Sequence, residues 1–157
     1  ALGGGVMPLA AFVSTAKIWS VFEKDPQVHS STTGGNPLAC AAGIAAIMVT
    51  LEEDLPGQAA RKGTYMLAAM QSLQERYHDL IATARGKGLL LGMQFQSAEI
   101  GWQIVSRLFR KGVLVAGTMS NSETVRFEPA LNIPDVLLDE ILNRLEDTLR
   151  EVREGRS

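Results

Sequence analysis

The residues best suited to chemistry lie in one run, His29 to Leu38, which reads His-Ser-Ser-Thr-Thr-Gly-Gly-Asn-Pro-Leu. Asn36 is a favoured N-cap residue and Pro37 suits the first position of a helix, so a helix should begin here. Helix N-termini attract anions, because their first N–H groups lack partners and carry the positive end of the helix dipole. Together with the hydroxyls of Ser31, Thr32 and Thr33, this start predicts a phosphate-binding turn. The same residue types also crowd into ordinary capped turns, and the residues alone leave that alternative open.

Other kinds of site find little support in the sequence. The chain contains neither Gly-x-x-x-x-Gly-Lys-Ser/Thr nor Gly-x-Gly-x-x-Gly, so no nucleotide or dinucleotide site is expected. Its one cysteine, Cys40, excludes an intrachain disulfide and a cysteine metal site. His29 lacks a carboxylate or cysteine partner at readable spacing, so it is interpreted as structural. No metal is therefore expected.

Composition narrows the class of protein. The chain has 157 residues, of which 46% are hydrophobic and 20% charged, as is typical of a globular protein. A net charge of −2 with mixed signs gives no reason to expect nucleic acid or an anionic membrane as a partner. The longest apolar stretch, 38–49, is shorter than the roughly 20 residues that a helix needs to cross a bilayer. These features predict a soluble, cytoplasmic protein.

Several ordered blocks of the chain carry a resemblance to a known family. They are Ala1-Leu-Gly-Gly-Gly-Val-Met-Pro8, Thr32-Thr-Gly-Gly-Asn-Pro-Leu-Ala-Cys-Ala-Ala42, Ala84-Arg-Gly-Lys-Gly-Leu89, Val113-Leu-Val-Ala-Gly-Thr118 and Val125-Arg-Phe-Glu-Pro129. In this order they resemble the class III pyridoxal-phosphate aminotransferases. The segment Glu99-Ile-Gly-Trp102 is similar to one in the putrescine-specific members of that family.

The resemblance implies an activity. The cofactor would be pyridoxal 5'-phosphate, and the reaction would move an amino group from a terminal amine, putrescine first, to a 2-oxo acid such as 2-oxoglutarate. Such an enzyme would be a homodimer or a higher homo-oligomer in polyamine degradation. The alternative enzyme is an acetylornithine or ornithine aminotransferase. A different class altogether is a non-catalytic α+β interaction domain.

The resemblance also implies roles for individual residues. Thr32 matches a threonine that hydrogen-bonds the cofactor phosphate across the dimer interface, and Ser31 stands beside it. Thr33 occupies a position where the family usually has an aromatic residue, which alters the expected pocket wall. Arg126 matches an arginine that many members direct at a substrate carboxylate. The residues alone suggest instead a strand arginine that pairs with Glu128.

The family places the lysine that binds the cofactor directly before the block that opens at Ala1. The resemblance therefore implies that this chain is a C-terminal fragment that contains no catalytic residue and is inactive alone. Lys17 does not replace the missing lysine.

The elements that would position these residues follow from the hydrophobic pattern. The helix from Pro37 to about Leu51 is apolar on nearly every face and needs partners on all sides. Residues 1–56 are therefore predicted to be the C-terminal portion of a large cofactor-binding domain, which ends near Leu55-Pro56-Gly57. Residues 57–157 should form a small C-terminal α+β domain with a mainly antiparallel sheet, so the chain as a whole is a mixed α/β and α+β part of a fold-type I transferase.

Periodicity predicts the individual elements. In the first part they are a strand at Met7–Val13, one or two helical turns at 15–22 with Trp19 and Phe22 packed on one side, and the helix from Pro37. In the second part they are a helix at 58–77, a turn at 85–88 with Arg85 structural, a strand from Leu89 to Phe95, a helix at 100–111, strands at 113–115 and 124–127, and a helix that Pro134 opens.

Overall fold

The computed structural model describes residues 2–118 and 121–155, apart from the side chain of Pro26. Ala1, with which the first sequence block opens, lies outside the described residues. The chain separates into two compact units that divide between Asp54 and Leu55. The sequence-based boundary stands two residues further on, after Pro56. Each unit is described below by itself.

The first unit is mostly helical. Helix α1 (Ala16–Trp19) continues into short 3₁₀ turns at Ser20–Glu23 and Pro26–His29, and helix α2 covers Pro37–Glu52. The predictions of helical turns after Thr15 and of a helix that begins at Pro37 are confirmed. The predicted strand at Met7–Val13 is wrong, because a strand needs a hydrogen-bonded neighbour and the described residues of this unit provide none.

Helix α2 buries very little of its apolar surface. Its buried residues are Ala39 and Gly43, whereas Leu38, Ile44 and Leu51 are each more than 60% exposed. The prediction that this helix is apolar on nearly every face is thus confirmed, and most of those faces remain uncovered in the described residues.

The second unit packs three helices on a four-stranded sheet. The helices are α3 (Leu55–Arg76), α4 (Ala98–Arg110) and α5 (Asp135–Arg153), and the strands are β1 (Ile81–Lys87), β2 (Leu90–Phe95), β3 (Ala116–Gly117) and β4 (Thr124–Phe127). The strand order is β1-β2-β4-β3, and every neighbouring pair is antiparallel. The predicted small α+β unit with an antiparallel sheet is confirmed.

The core of this unit lies between the helices and one face of the sheet. Leu91, Met93 and Phe95 alternate along β2 and are almost fully buried, as the sequence pattern predicts. Val125 and Phe127 of β4 join them. The helices contribute the buried residues Met66, Met70, Leu73, Ile104, Leu108, Leu138, Leu142, Leu145 and Leu149. The opposite face of the sheet carries polar residues and is not covered by these helices.

Two predictions of strands and turns in this unit are wrong. Most of the predicted turn at 85–88 belongs to β1, and the hairpin turn is only Gly88 and Leu89. Gly86 is required by close packing rather than by a turn, because a Cβ there would overlap the carbonyl oxygen of Leu90. The predicted strand at 113–115 is also displaced, since β3 begins at Ala116.

Candidate functional site

The turn before α2 is held by its own backbone and by Asn36. The N–H of Gly34 donates to the carbonyl of Ser31 at 3.1 Å, and the N–H of Asn36 donates to that of Thr33 at 3.2 Å. The side-chain oxygen of Asn36 accepts from the N–H groups of Leu38 and Ala39 at 2.9 and 3.3 Å. The prediction that the first turn of the helix offers unpaired N–H groups is therefore wrong, because the cap residue occupies them.

The hydrogen-bond donors that remain unpaired lie in the residues that precede Asn36. Ser31, Thr32 and Thr33 are exposed, and their hydroxyls have no hydrogen-bond partner within the described part of the chain. The backbone N–H groups of Thr32, Thr33 and Gly35 are likewise unpaired there. Hydroxyl and amide groups of this kind can donate hydrogen bonds to the oxygen atoms of an anion such as a phosphate monoester. Any anion at this turn would therefore meet these hydroxyl and amide donors rather than the N–H groups of the helix start.

An open cleft of about 680 Å³ borders this turn within the first unit. Its lining includes Ser31 and Thr33 but not Thr32. Thr32 is therefore exposed but is not one of the residues that line this cleft.

A cluster of aromatic rings adjoins the turn, and Phe12, Trp19 and His29 of this cluster line the cleft together with residues 8–11 and 34–35. The ring of His29 lies 4.6 Å from that of Phe12 and 5.4 Å from that of Phe22, and Trp19 lies 5.3 Å from Phe22. The predicted packing of Trp19 with Phe22 is confirmed, and ring contacts agree with a structural role for His29. The spacing of three residues between Trp19 and Phe22 predicts that they lie on one side of a helix. The contacts of Phe12 and His29 with these rings could not be predicted from the sequence pattern.

Arg126 stands on the open face of the sheet in the second unit. Its Nη1 lies 3.2 Å from Oε1 of Glu128, and both side chains are about 40% exposed. This is the local ion pair that the residues alone suggest. An exposed pair of this kind contributes less than about 1 kcal/mol, so the guanidinium can exchange Glu128 for a carboxylate of a ligand at little cost.

The register of the sheet brings a second arginine to the same face. Arg85 of β1 lies directly opposite Gly92 of β2, and Gly92 lies directly opposite Arg126 of β4. Nη1 of Arg85 donates to the side-chain oxygen of Gln94 at 3.2 Å. The sequence does not reveal this neighbourhood, because it depends on which residues pair across three strands.

The carboxylates with lowered pKa values lie elsewhere. Hydrogen bonds from Arg153 hold the pKa of Asp79 below its ordinary value, and a hydrogen bond from Lys111 does the same for Glu151. Both interactions attach α5 to its neighbours in the second unit and do not belong to the turn or to the open sheet face.

Two findings concern membranes and metals. Among the described residues, no helix combines the length and the apolar character that crossing a bilayer requires. Residues 2–118 and 121–155 also contain no group of three His, Cys, Asp or Glu side chains placed to bind a metal ion.

Comparison with known proteins gives a family match over most of the chain. The family model "Aminotransferase class-III" matches residues 1–149. The ornithine aminotransferase of Toxoplasma gondii, described with partial occupancy of PLP at its active site, is 31% identical with a TM-score of 0.86. The match covers 99% of this chain and 36% of that enzyme.

Two further solved structures agree. The acetylornithine aminotransferase of Elizabethkingia anophelis is 33% identical over 78% of this chain and 31% of that one, with a TM-score of 0.73. The ornithine delta-aminotransferase of Plasmodium falciparum is 30% identical over 98% of this chain and 39% of that one, with a TM-score of 0.82. The chain therefore spans between 31% and 39% of the length of these three relatives.

Proposed function

Because this chain belongs to the class-III aminotransferase family, we propose that it forms the C-terminal part of an aminotransferase subunit. The cofactor of this family is pyridoxal phosphate, which supplies the electron sink for exchanging an amino group with a carbonyl group. In this proposal the unit that ends at Asp54 completes a large cofactor-binding domain, and the unit from Leu55 is the small C-terminal domain. The subunits form a homodimer or a higher homo-oligomer.

Thr32 and Ser31 are proposed to hold the cofactor phosphate. The hydroxyl of Thr32 supports this, since it is exposed, unpaired among the described residues and absent from the lining of its own cleft. Those features suit a donor that serves the site of a second subunit. Ser31 stands next to Thr32 in the chain and adds a second exposed hydroxyl to the same turn.

The amino donor is proposed to be a terminal amine, with putrescine first. This proposal rests on residues 99–102, which lie near the start of α4 and resemble a segment of the putrescine-specific members of the family. The second candidate is ornithine or acetylornithine, which the similarity to enzymes of those two kinds favours. The acceptor in both cases is a 2-oxo acid such as 2-oxoglutarate.

Arg126 is proposed to bind the carboxylate of the 2-oxo acid acceptor. It presents a guanidinium on the open sheet face, where its only described partner, Glu128, is exposed and replaceable. The planar fork of arginine matches a carboxylate, and a diamine such as putrescine has no carboxylate to offer. Arg126 should therefore matter to the oxo-acid half-reaction and not to the diamine half-reaction.

The test uses Arg126→Ala in the full-length enzyme loaded with cofactor. We expect kcat/KM for 2-oxoglutarate to fall by at least about tenfold, the lower end of the effect of a charged hydrogen bond. The single-turnover half-reaction with putrescine should stay within a few-fold of wild type. Arg110→Ala, which removes an exposed arginine from the end of α4, serves as the matched control and should change neither.

The outcomes separate the candidates. Ornithine and acetylornithine carry carboxylates of their own, so a fall in both half-reactions in a folded, cofactor-loaded variant would favour them over putrescine. Unchanged rates in both half-reactions would leave Arg126 as a strand residue paired with Glu128 and would remove the acceptor assignment.

A further inference from the structure

The open face of the sheet presents two arginines on either side of a residue without a side chain. In an antiparallel sheet, residues that lie directly opposite one another point to the same face. The register Arg85–Gly92–Arg126 therefore places both guanidinium groups on the face away from the helical core. Neighbouring strands lie about 4.8 Å apart, so the two Cα atoms are about 10 Å apart.

The space between the two arginines is open because position 92 is glycine. A Cβ there would meet only ordinary contacts, the nearest being the Thr124 methyl at 3.6 Å and the Arg85 carbonyl oxygen at 3.9 Å. No close approach and no left-handed backbone requires glycine at this position. The absence of a side chain thus leaves a strip of bare backbone between two cations, rather than relieving a clash.

The present partners of both arginines are weak. Arg85 donates to the neutral amide of Gln94, and Arg126 pairs with the exposed carboxylate of Glu128. Exposed pairs contribute little, and a bidentate carboxylate contact is stronger than a single bond to an amide. Both guanidinium groups are therefore available to a ligand with two negative ends.

We propose that Arg85 and Arg126 bind the two carboxylates of one dicarboxylate oxo acid, with its carbon chain lying over Gly92. This inference rests on the proposed function, in which Arg126 binds the acceptor, and it deepens it by adding Arg85 and Gly92 as specificity-determining residues. Arg85 then selects a dicarboxylate acceptor over a monocarboxylate such as pyruvate. The straight chain of a five-carbon diacid can cross the strip because nothing projects from Gly92.

The test is a binding titration of this chain with glutarate and with butyrate, which are unreactive acids with two carboxylates and one. Chemical shifts of the Gly92 amide and of the arginine Nε–H groups report binding at the site itself. Wild type should bind glutarate at least about tenfold more tightly than butyrate. Arg85→Gln should abolish this preference by weakening glutarate about tenfold while leaving butyrate unchanged.

Two further variants sharpen the result. Lys87→Gln removes a cation from the same strand and the same face but opposite Leu90 rather than Gly92, so the preference should persist. Gly92→Val should weaken glutarate by blocking the strip, and an unchanged melting temperature would show that the sheet tolerates the side chain.

The outcomes distinguish the two-arginine site from the proposed function on which it rests, the binding of the acceptor by Arg126. If Arg126→Gln weakens both acids while Arg85→Gln leaves the preference intact, the two-arginine site is overturned and the acceptor role of Arg126 stands. If Arg126→Gln changes neither acid, the assignment of Arg126 and the site that depends on it both fall. Absence of any glutarate binding to wild type would also overturn the proposal.

Discussion

At the scale of single residues, the two threonines of the turn before α2 differ in their surroundings although they are neighbours in the sequence. Thr32 and Thr33 are adjacent, exposed and chemically identical, yet only Thr33 lines the cleft of the first unit. Both hydroxyls lack a hydrogen-bond partner among the described residues, so the two threonines are alike in that respect and differ in their relation to the cleft. The structure thus supplies a matched pair of side chains for testing the cofactor assignment.

Thr32→Ala in the full-length enzyme should weaken retention of pyridoxal phosphate. Loss of a hydrogen bond to a charged group costs about 1.5–3 kcal/mol, which corresponds to roughly one to two decades in the dissociation constant. Thr33→Ala is the control and should have the smaller effect. The dissociation constants can be measured by equilibrium dialysis of the cofactor. Equal values for Thr32→Ala and wild type would return the turn to a simple capped helix start.

At the scale of elements, the contact between α3 and the β1–β2 hairpin depends on Gly63. Gly63 of α3 faces the backbone of Gly88, and a Cβ at position 63 would overlap the Gly88 carbonyl group. The helix can lie this close to the hairpin because Gly63 has no side chain. A Cβ at Gly88 would meet α3 only at ordinary distances of 3.7 Å or more, and glycine is favoured there by its left-handed backbone, with φ of +56°. This contact fixes the hairpin, and with it the strand that carries Arg85.

Gly63→Ala should destabilise the chain although alanine is the better helix former. The gain in helix propensity is about 1 kcal/mol, whereas overpacking against backbone costs typically about 1–3 kcal/mol, so we expect a net loss. Gly101→Ala in α4 is the matched control, because its Cβ would find its nearest neighbour at 3.5 Å, and it should stabilise the chain slightly. Urea unfolding followed by circular dichroism measures both. Greater stability of Gly63→Ala than of wild type would contradict the packing argument.

The elements that could be predicted from sequence are those whose signals are local. Asn36 and Pro37 mark the start of α2, and the alternation of Leu91, Met93 and Phe95 marks β2, because capping and burial act through near neighbours. The sequence does not predict strand β1, because the two glycines within 85–88 are residues typical of a turn. Gly86 nevertheless lies inside the strand, where the close approach of the Leu90 carbonyl oxygen excludes a side chain.

The candidate site was predictable only in part. Residue types identified Ser31, Thr32 and Arg126 as candidates through the family resemblance, and their roles stay predictions. The placement of Arg85 and Arg126 on either side of Gly92 depends on strand register. The hydrogen bonds that the Leu38 and Ala39 N–H groups donate to Asn36 depend on the conformation of the Asn36 side chain. Both are properties of three-dimensional placement that a pattern of residue types does not contain.

At the scale of the whole molecule, the two units differ in how many apolar residues they bury. Of the buried apolar residues in the described part of the chain, Ala39 alone comes from the first unit, while the others belong to the second. Unburied apolar side chains on α2 include Leu38, Ile44, Ile47, Met48, Val49 and Leu51. Large exposed apolar patches usually mark surfaces that bind other protein surfaces.

We expect this chain on its own to self-associate through α2. Replacing Ile44 and Ile47 with Glu should reduce association, because charged residues cannot be buried unpaired in an apolar contact. Light scattering over a range of protein concentrations measures the effect, with circular dichroism to check that the helix persists. A monodisperse wild-type monomer at every concentration would contradict the expectation.

The strand order also bears on how the second unit can acquire its structure. The hairpin of β1 and β2 closes through only Gly88 and Leu89, whereas β2 meets its other neighbour, β4, only after the whole of α4 has intervened along the chain. Closing the short loop costs less chain entropy, and an isolated hairpin forms within microseconds. During synthesis on the ribosome, β2 therefore emerges long before β4. In that interval its apolar residues Leu91, Met93 and Phe95 are already present, and the edge of β2 that later pairs with β4 has no partner. An unpaired strand edge of this kind is prone to pair with other chains, so the interval before β4 arrives is the part of folding most exposed to aggregation.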